Sequence, residues 1–375
     1  MGTIFARNGN AAEKRIADFS LVPCWPVGKV FFADAVEDNA TMQVMILAAG
    51  RSTRLGSIGQ ALPKPLLPIC GYPAIRYGIE LCRRAGLTDI VINLHHHGDK
   101  IGQTLGDGSQ FGVRLRYSHE EELFGTGGGL WKARYMFSPG PVLVLNGKVA
   151  TDIDLAAVVA AHQEAGTDTV ATMVLREDPN PELWAPIGID STGRVLSIRG
   201  KRSPQTAVGT AGTVLPRMFT GIHVVEPRLL DRLPLGLSDV IGDAYIPALL
   251  DGDRIASITM TGYFAEHSTP ERYLAGNIDL LQNPSFLPNA PGPLVGVDEH
   301  AQVDPSAHVR FPSRIAAGAV IEPGAVVGPD AVVCGGGRVA AGAEISRCVV
   351  WPGATASGKQ SGVVIMPNVA IPAEA

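Results

Sequence analysis

Two cations of different shape, Arg54 and Lys64, stand in one loop that follows a short apolar run at residues 44–47. An arginine fork and a lysine point charge together suit the oxygens of a polyphosphate. Pro63 and Pro65 restrict the backbone on both sides of Lys64, so this cation has little conformational entropy left to lose. Small residues earlier in the loop allow close approach of backbone N–H groups to an anion. The predicted nucleotide-binding residues of this segment are Leu47, Ala48, Ala49, Gly50, Ser52 and Thr53.

A glycine-rich segment, residues 120–130, is the second candidate contact for a ligand. Four glycines in five positions favour neither a helix nor a strand, but they permit close approach of the backbone to a flat ligand. We expect a helix only after them, over residues 130–135, with an amino terminus that favours anions. The predicted contacts in this segment are Glu120, Gly125 and Thr126.

Polar residues also follow two further apolar runs. Asn146, Gly147 and Lys148 stand at the carboxyl end of a strand predicted over residues 141–145. Three adjacent histidines, residues 95–97, follow another predicted strand. We favour a polar loop over a metal site at the histidines, because neighbouring side chains point in different directions and rarely share one ion.

These loops must be positioned by an α/β fold, because predicted strands and helices alternate along the chain. Open parallel sheets bind ligands at the carboxyl ends of their strands, where the polar loops begin. The predicted strands are 44–47, 89–94, 113–117, 141–145, 168–175 and the pair 187–190 with 194–198. The predicted helices are 73–85, 100–105 and 154–164, with another that opens at Thr269.

The motifs together resemble the sugar-1-phosphate nucleotidyltransferases, also called nucleoside-diphosphate-sugar pyrophosphorylases. The family spelling LAAG-x-G-[TS]-R-[LM] followed by PKP is matched here by LAAGRSTRL and LPKPL, with Ser52 where the family has Gly. The spellings LGDGSQFG and FGTGGGL look closest to the branch with N-acetylmuramate-1-phosphate uridylyltransferase, and mannose-1-phosphate guanylyltransferases are almost as near. The resemblance covers residues 42–350.

The resemblance implies a Rossmann-like, mainly parallel mixed sheet and a transfer from a nucleoside triphosphate to a sugar 1-phosphate. In this interpretation Arg54 and Lys64 hold the β- and γ-phosphates, and Gly125 and Thr126 contact the base. The predicted sugar-phosphate contacts are Gly188, Lys201 and Gly221. Guanine with mannose, and uracil with glucose or an amino sugar, are all open.

Four family positions carry a different residue here. Lys148 replaces the Asp that holds Mg²⁺ in the family, and Glu266 replaces the second metal carboxylate. Gly200 stands where the family has Glu, and Ser52 where it has Gly. The family implies a Mg²⁺ cofactor, but a lysine repels a cation, and Asp152 is only a weak substitute ligand.

These departures leave two interpretations open. The protein is either an active transferase, with Lys148 among its catalytic residues, or a catalytically impaired homologue that serves as a sugar-nucleotide sensor or regulatory subunit. Lys148 either prevents turnover, or it supplies to the phosphates the positive charge that the metal supplies in the family.

A second architecture follows at residues 294–350, where aliphatic residues recur every six positions. Nine repeats at one period predict a short left-handed parallel β-helix of about three coils. Such a β-helix leaves an open end, so we expect a homo-oligomer or a partner subunit. His300 and His308 also raise an acyltransferase alternative, which we consider weaker. The repeated residues are Val297, Val303, Val309, Ile315, Ile321, Val327, Val333, Val339 and Ile345.

The composition describes an ordinary globular protein, with 46% hydrophobic and 18% charged residues. A net charge of −5 gives no electrostatic reason to expect nucleic acid or an anionic membrane as a partner. The chain has neither an apolar run of about 18 residues nor a signal-peptide pattern, so we expect a cytoplasmic protein. Five scattered cysteines predict free, mostly buried thiols.

We expect four segments along the chain. Residues 1–41 are an extension, either poorly ordered or an artefact of the assigned start, because Met42 directly precedes the first predicted strand. Residues 42–285 form the nucleotidyltransferase domain and residues 294–353 the β-helix. Residues 354–375 are a tail, either a closing coil or disordered.

Overall fold

A mixed ten-stranded sheet forms the centre of the first part of the chain in the computed structural model, which describes residues 42–207 and 214–374. The predicted extension 1–41 and residues 208–213 lie outside the described residues. The strands of this part are β1 Gln43–Leu47, β2 Pro68–Ile69, β3 Tyr72–Pro73, β4 Asp89–Leu94, β5 Arg114–His119, β6 Val142–Asn146, β7 Val149–Thr151, β8 Thr169–Arg176, β9 Ile187–Ile189, β10 Val195–Ile198, β11 Lys201–Arg202, β12 Leu215–Val225, β13 Arg254–Met260 and β14 Phe264–Glu266.

The strand order is β11-β10-β9-β12-β6-β1-β4-β5, and β8 pairs with β12 and β13. Strands β6, β1, β4 and β5 are parallel, whereas β12 runs antiparallel to β6. The sequence explains β1, since Val44, Met45 and Ile46 are fully buried and leave no polar face. The predicted Rossmann-like mixed sheet is confirmed.

Helices connect and cover these strands. The predicted helices at 73–85 and 154–164 are confirmed within two residues. Asp154 caps the second of them, accepting hydrogen bonds from the N–H groups of Ala156 and Ala157. The helices are α1 Ser57–Ala61, α2 Ala74–Arg84, α3 Gly98–Leu105, α4 Gly125–Ala133, α5 Leu155–Glu164, α6 Pro227–Leu230, α7 Ile246–Leu250 and α8 Pro270–Gln282.

The start of α4 was wrongly predicted, because the helix begins at Gly125 and includes the glycines. The cause is close packing. A Cβ on Gly128 would lie 2.0 Å from the carbonyl oxygen of Gly236, and one on Gly127 would lie 2.6 Å from the Ser238 hydroxyl. Tertiary contact with this neighbouring segment therefore overrides the low helix propensity of glycine.

The hexapeptide segment forms a parallel β-helix. Gly296 pairs with Arg314 and Gln302 with Val320, so the first coils take 18 residues, or three hexapeptides, per turn. Strands also occupy residues 355–372, where β26 folds back antiparallel on β25. The strands are β15 Gly296–Val297, β16 Gln302–Val303, β17 His308–Val309, β18 Ser313–Ile315, β19 Val320–Ile321, β20 Val326–Val327, β21 Ala331–Val333, β22 Arg338–Val339, β23 Glu344–Val350, β24 Thr355–Ala356, β25 Lys359–Met366 and β26 Val369–Pro372.

The β-helix shares a hydrophobic core with the first part of the chain. Tyr273 of α8 is fully buried at this junction. Its hydroxyl donates to the Pro68 carbonyl over 2.7 Å and accepts from the Trp351 indole N–H over 3.1 Å. The β2–β3 hairpin, which directly follows the loop of Lys64, is thereby fastened to the β-helix.

Four of the five cysteines lie in the described residues, and these four are free and buried, as predicted. No helix in the described part of the chain is long and apolar enough to cross a membrane.

Candidate active site at the carboxyl ends of β1 and β6

The candidate site begins where β1 and β6 end side by side. Leu47 pairs with Asn146 in the parallel register, so the loops that follow leave the sheet together. Gly147 donates its N–H to the Leu47 carbonyl over 3.0 Å. A Cβ at Gly147 would lie only 3.1 Å from the Ile46 side chain, and this close approach favours glycine there. The geometry brings Lys148 next to the loop of Arg54.

The two halves of the cationic loop are tied together by Ser52. Its backbone adopts the left-handed conformation with a φ of 59°, which costs a side-chain-bearing residue about 1 kcal/mol. Its buried hydroxyl accepts the N–H of Lys64 over 3.1 Å. The left-handed backbone accounts for a glycine in the family pattern, and the hydrogen bond offsets the strain of serine here.

An ion cluster lies in front of this loop. The Lys148 ammonium contacts Glu266 Oε1 at 2.5 Å, and the Arg54 guanidinium reaches the same oxygen at 3.7 Å. The contact follows from the β7–β14 ribbon, in which Val149 pairs with Glu266. The side chains of Lys148 and Glu266 are 26% and 17% exposed, so water screens their attraction only in part.

The cluster shifts the pKa values of its members. Burial, together with the charges of Lys148 and Arg54, lowers the pKa of Lys64 from 10.5 to about 8, and Glu266 opposes this change. Burial raises the pKa of Glu266, but the neighbouring cations, Lys148 first, outweigh it and hold that pKa below its ordinary value. The cluster therefore contains three cations around one ionised carboxylate.

The residues present do not fit the Mg²⁺ that the family resemblance implies. A lysine ammonium, rather than a second carboxylate, faces Glu266. Asp152, the weak substitute, lies at the other end of the ribbon, where its N–H bonds the Tyr263 carbonyl and its carboxylate packs against Gly262. Across residues 42–207 and 214–374, no three His, Cys, Asp or Glu side chains are grouped to hold a metal.

The three histidines form the predicted polar loop. His95 Nδ1 lies 3.0 Å from the Glu120 carbonyl oxygen, and His97 Nε2 lies 3.0 Å from the Gln60 carbonyl oxygen. The rings of His96 and His97 are tilted against each other at 4.0 Å. The rings thus turn to different partners.

A buried network connects the cationic loop to α4. The Ala48 N–H donates to the Asn93 amide oxygen over 2.8 Å, and the Asn93 amide donates to Glu120 over 2.7 Å. The second oxygen of Glu120 accepts the Phe124 N–H over 3.1 Å. Both oxygens of this predicted nucleotide contact are therefore engaged inside the protein.

Asn93 was missed from the sequence, although a polar residue inside a buried strand is the signal that identifies it. A Cβ on Gly129 would lie 2.7 Å from the Asn93 amide, so this α4 glycine leaves room for the network. The network holds the Ala48 backbone in place, beside the cationic loop.

Gly125 and Thr126 lie at the start of α4. The Thr126 hydroxyl donates to Asp239 over 3.2 Å and accepts the Val240 N–H over 3.1 Å. Asp239 also receives the Arg199 guanidinium at 2.7 Å. Thr126 is exposed, whereas the glycines behind it are buried. Their role towards a base stays a prediction.

The predicted sugar-phosphate residues are spread along the sheet. Gly221, with a φ of 79°, lies against Asn146, where a Cβ would come within 2.0 Å of the amide nitrogen. Gly188 packs against Ser197 in the β9–β10 pair. Lys201 lies exposed on the edge strand β11. Gly221 thus adjoins the end of β6, and the other two lie further from it.

Glu266 also lines a cavity of about 410 Å³. Arg176 and Arg272 both line it, and the Arg272 guanidinium lies 5.0 Å from the ring centre of Trp184. This cavity offers cationic and aromatic groups next to the ion cluster. The cavity was not predictable from local sequence patterns, because its walls come from β8, β12, β14 and α8.

Several known proteins are similar to this chain in sequence. A UTP–glucose-1-phosphate uridylyltransferase of Synechocystis is 32% identical over 56% of this chain and 55% of its own. A mannose-1-phosphate guanylyltransferase of Mycobacterium tuberculosis is 29% identical over 65% of this chain and 66% of its own. An N-acetylmuramate alpha-1-phosphate uridylyltransferase of Neisseria meningitidis is 36% identical over 52% of this chain and 80% of its own. The chain thus spans about half to two thirds of the first two relatives.

Solved structures share the fold. The crystal structure of HddC from Yersinia pseudotuberculosis superposes with a TM-score of 0.51 and 21% identity, over 63% of this chain and 98% of that one. The family model described as nucleotidyl transferase matches residues 43–264, which include β1, the cationic loop, α4 and β6. The chain therefore belongs to the nucleotidyl transferase family.

Proposed function

We propose that this protein transfers a nucleotidyl group from a nucleoside triphosphate to a sugar 1-phosphate. The observation that carries the proposal is the convergence of Arg54, Lys64 and Lys148 where β1 and β6 end. An oxygen of the sugar phosphate attacks the α-phosphorus of the nucleoside triphosphate in line. The bond between the α-phosphorus and the oxygen that bridges it to the β-phosphate breaks, and pyrophosphate leaves. Such chemistry asks the protein mainly for positioning and for neutralisation of phosphate charge.

Each cation has a separate part in this proposal. Arg54 and Lys64 bind the β- and γ-phosphates and stabilise the leaving pyrophosphate. Lys148, fixed by Glu266, faces the same phosphates from the end of β6. The relatives act by name on glucose, mannose and N-acetylmuramate 1-phosphates, which supports a hexose 1-phosphate as the acceptor.

The test is a pyrophosphate-release assay with each of the four nucleoside triphosphates and several sugar 1-phosphates, with and without Mg²⁺. Turnover with one pair identifies the base and the sugar. Bound nucleotide without turnover would instead favour the second candidate function, a sugar-nucleotide sensor or regulatory subunit. The Lys148–Glu266 contact is the observation in favour of that candidate, because it occupies the place of a carboxylate pair.

The acceptor site has two candidate locations. Lys201 is the phosphate ligand that the family pattern implies, whereas Arg272 lines the cavity beside Glu266. Substitution of either by alanine separates the two. The variant that raises KM for the sugar phosphate, with KM for the nucleotide unchanged, marks the location that is used.

The β-helix is proposed to mediate self-association. Its first coil, β15–β17, ends the stack and exposes Val297 and Phe311, at 43% and 60%. Light scattering of the full chain tests this. His308 begins β17, and His300 lies in the turn before β16, which belongs to another sheet. The two histidines are thus not on one face, and this arrangement does not favour acyl transfer.

A further inference from the structure

We propose that the Lys148–Glu266 pair takes the place of a divalent cation, so that the cleft binds nucleoside triphosphate free of metal. The inference rests on the proposed function and concerns the form in which the nucleotide is bound. It follows from the observation that the residues at this site do not fit the Mg²⁺ that the family resemblance implies. Glu266 is then a positioning residue for Lys148 rather than a metal ligand.

The backbone holds Lys148 and Glu266 opposite each other. Residue 148 follows β6 directly, and Val149 in β7 pairs with Glu266 in β14, so the backbone ribbon sets the two side chains opposite each other. An ammonium group has three donors, and the 2.5 Å contact to Glu266 uses one of them. The remaining donors are available to phosphate oxygens. The pair thus holds a fixed, oriented positive group in front of the loop of Lys64.

The cluster carries a net positive charge. Three cations surround one carboxylate, so positive charge is in excess before any ligand binds. A divalent cation placed at Glu266 would meet Lys148 and Arg54 at short range, and this repulsion disfavours it. A polyphosphate without metal carries more negative charge than its Mg²⁺ complex. The cluster is therefore complementary to the free polyphosphate.

Hydrogen bonds inside the protein hold the backbone of the surrounding loop in place. The Lys64 backbone is fixed by Ser52, and Ala48 is fixed by the buried Asn93–Glu120 network. The Lys64 backbone and the Lys148 ammonium, which Glu266 holds, consequently meet the ligand with little rearrangement. A metal ion would fulfil a similar role by orienting flexible groups. The site is preorganised through protein groups alone.

Isothermal titration calorimetry of the full chain tests the proposal, with UTP, GTP and inorganic pyrophosphate as probes, in EDTA and in millimolar MgCl₂. We expect at least one probe to bind in EDTA with a Kd equal to or lower than that in MgCl₂. Lys148→Asp restores a carboxylate pair. In this variant we expect Kd in EDTA to rise about tenfold or more, with recovery in MgCl₂.

The matched control is Lys359→Asp, which makes the same charge change at a lysine that also pairs with a glutamate, Glu344, at 2.8 Å in the β-helix. We expect its Kd values to equal those of the wild type. Thermal unfolding of each variant shows that it is folded. Mn²⁺ titration without nucleotide adds a second readout, in which only Lys148→Asp gains a metal site.

The outcomes separate the two proposals. Wild-type binding that requires Mg²⁺, together with pyrophosphate release, overturns this inference and leaves the proposed function standing. Wild-type binding of Mn²⁺ at the site also overturns it. Absence of binding by every probe in both buffers overturns both. Binding in EDTA without turnover supports the inference and refutes the transferase proposal.

Discussion

The pH dependence of nucleotide binding is a direct consequence of the Lys64 environment. Burial and the neighbouring cations lower the pKa of Lys64 from 10.5 to about 8 in the free protein. A bound polyphosphate opposes both cations and restores that pKa towards its ordinary value. Lys64 is therefore protonated in both states below pH 8, whereas above pH 8 the free protein must take up a proton when it binds. Affinity should then fall as pH rises beyond 8.

The magnitude follows from the same values. Restoring the ordinary pKa in full would contribute about 3 kcal/mol to binding. Because the Lys64 side chain is only partly buried, solvent screening reduces this to about 1.4 kcal/mol, which is about a tenfold change in Kd. We expect most of this weakening, about sixfold, between pH 7.5 and 9.5, a range in which the nucleotide phosphates are already ionised.

Calorimetry in two buffers of different ionisation enthalpy measures the effect. At pH 8.5 the wild type should take up a fraction of one proton per nucleotide bound. Lys64→Arg is the matched variant, because a guanidinium stays protonated throughout this range, and its proton uptake should vanish. Equal proton uptake by Lys64→Arg and the wild type, or a Kd that is constant up to pH 9.5, would refute the reasoning.

Two further predictions concern stability, measured by denaturant unfolding. Tyr273→Phe leaves a buried indole N–H and a buried carbonyl without their partner, and should lower the free energy of unfolding by about 1–3 kcal/mol; an unchanged midpoint would contradict this. Gly128→Ala places a Cβ 2.0 Å from a backbone oxygen and should cost about 1–3 kcal/mol. Its control is Gly102→Ala in α3, where nothing lies within 4 Å and alanine should stabilise by up to about 1 kcal/mol. Equal effects of the two would refute the packing explanation.

Local signals were sufficient for much of the fold. The buried strand at 44–47, the helix that opens at Thr269 and the six-residue period each depend on residues close together in the chain, and the structure has all three. The start of α4 was not predictable in this way. Its glycines oppose a helix by propensity, and the contacts that override propensity come from residues about a hundred positions later.

The candidate site likewise contains some features that depend on neighbouring residues and others that depend on residues far apart in the chain. The positions of Arg54 and Lys64 could be predicted, because the loop that carries them is continuous. The Lys148–Glu266 contact could not, because 118 residues separate its partners and only the β7–β14 register joins them. Neither could the burial of Glu120, which depends on Asn93 of another strand.

In the sequence, the departures from the family pattern stand as four separate changes, and together they raise the impaired homologue as an alternative to the active transferase. In the structure, Lys148 and Glu266 form one contact, so these two departures are not independent of each other. The Ser52 hydroxyl binds the backbone of Lys64, so this change also has a partner. Three of the four departures thus belong to contacts within the cationic cluster and its loop, an arrangement that is consistent with the proposed neutralisation of a polyphosphate by protein groups. A pyrophosphate-release assay that always contains Mg²⁺ would therefore test this protein under the less favourable of the two conditions.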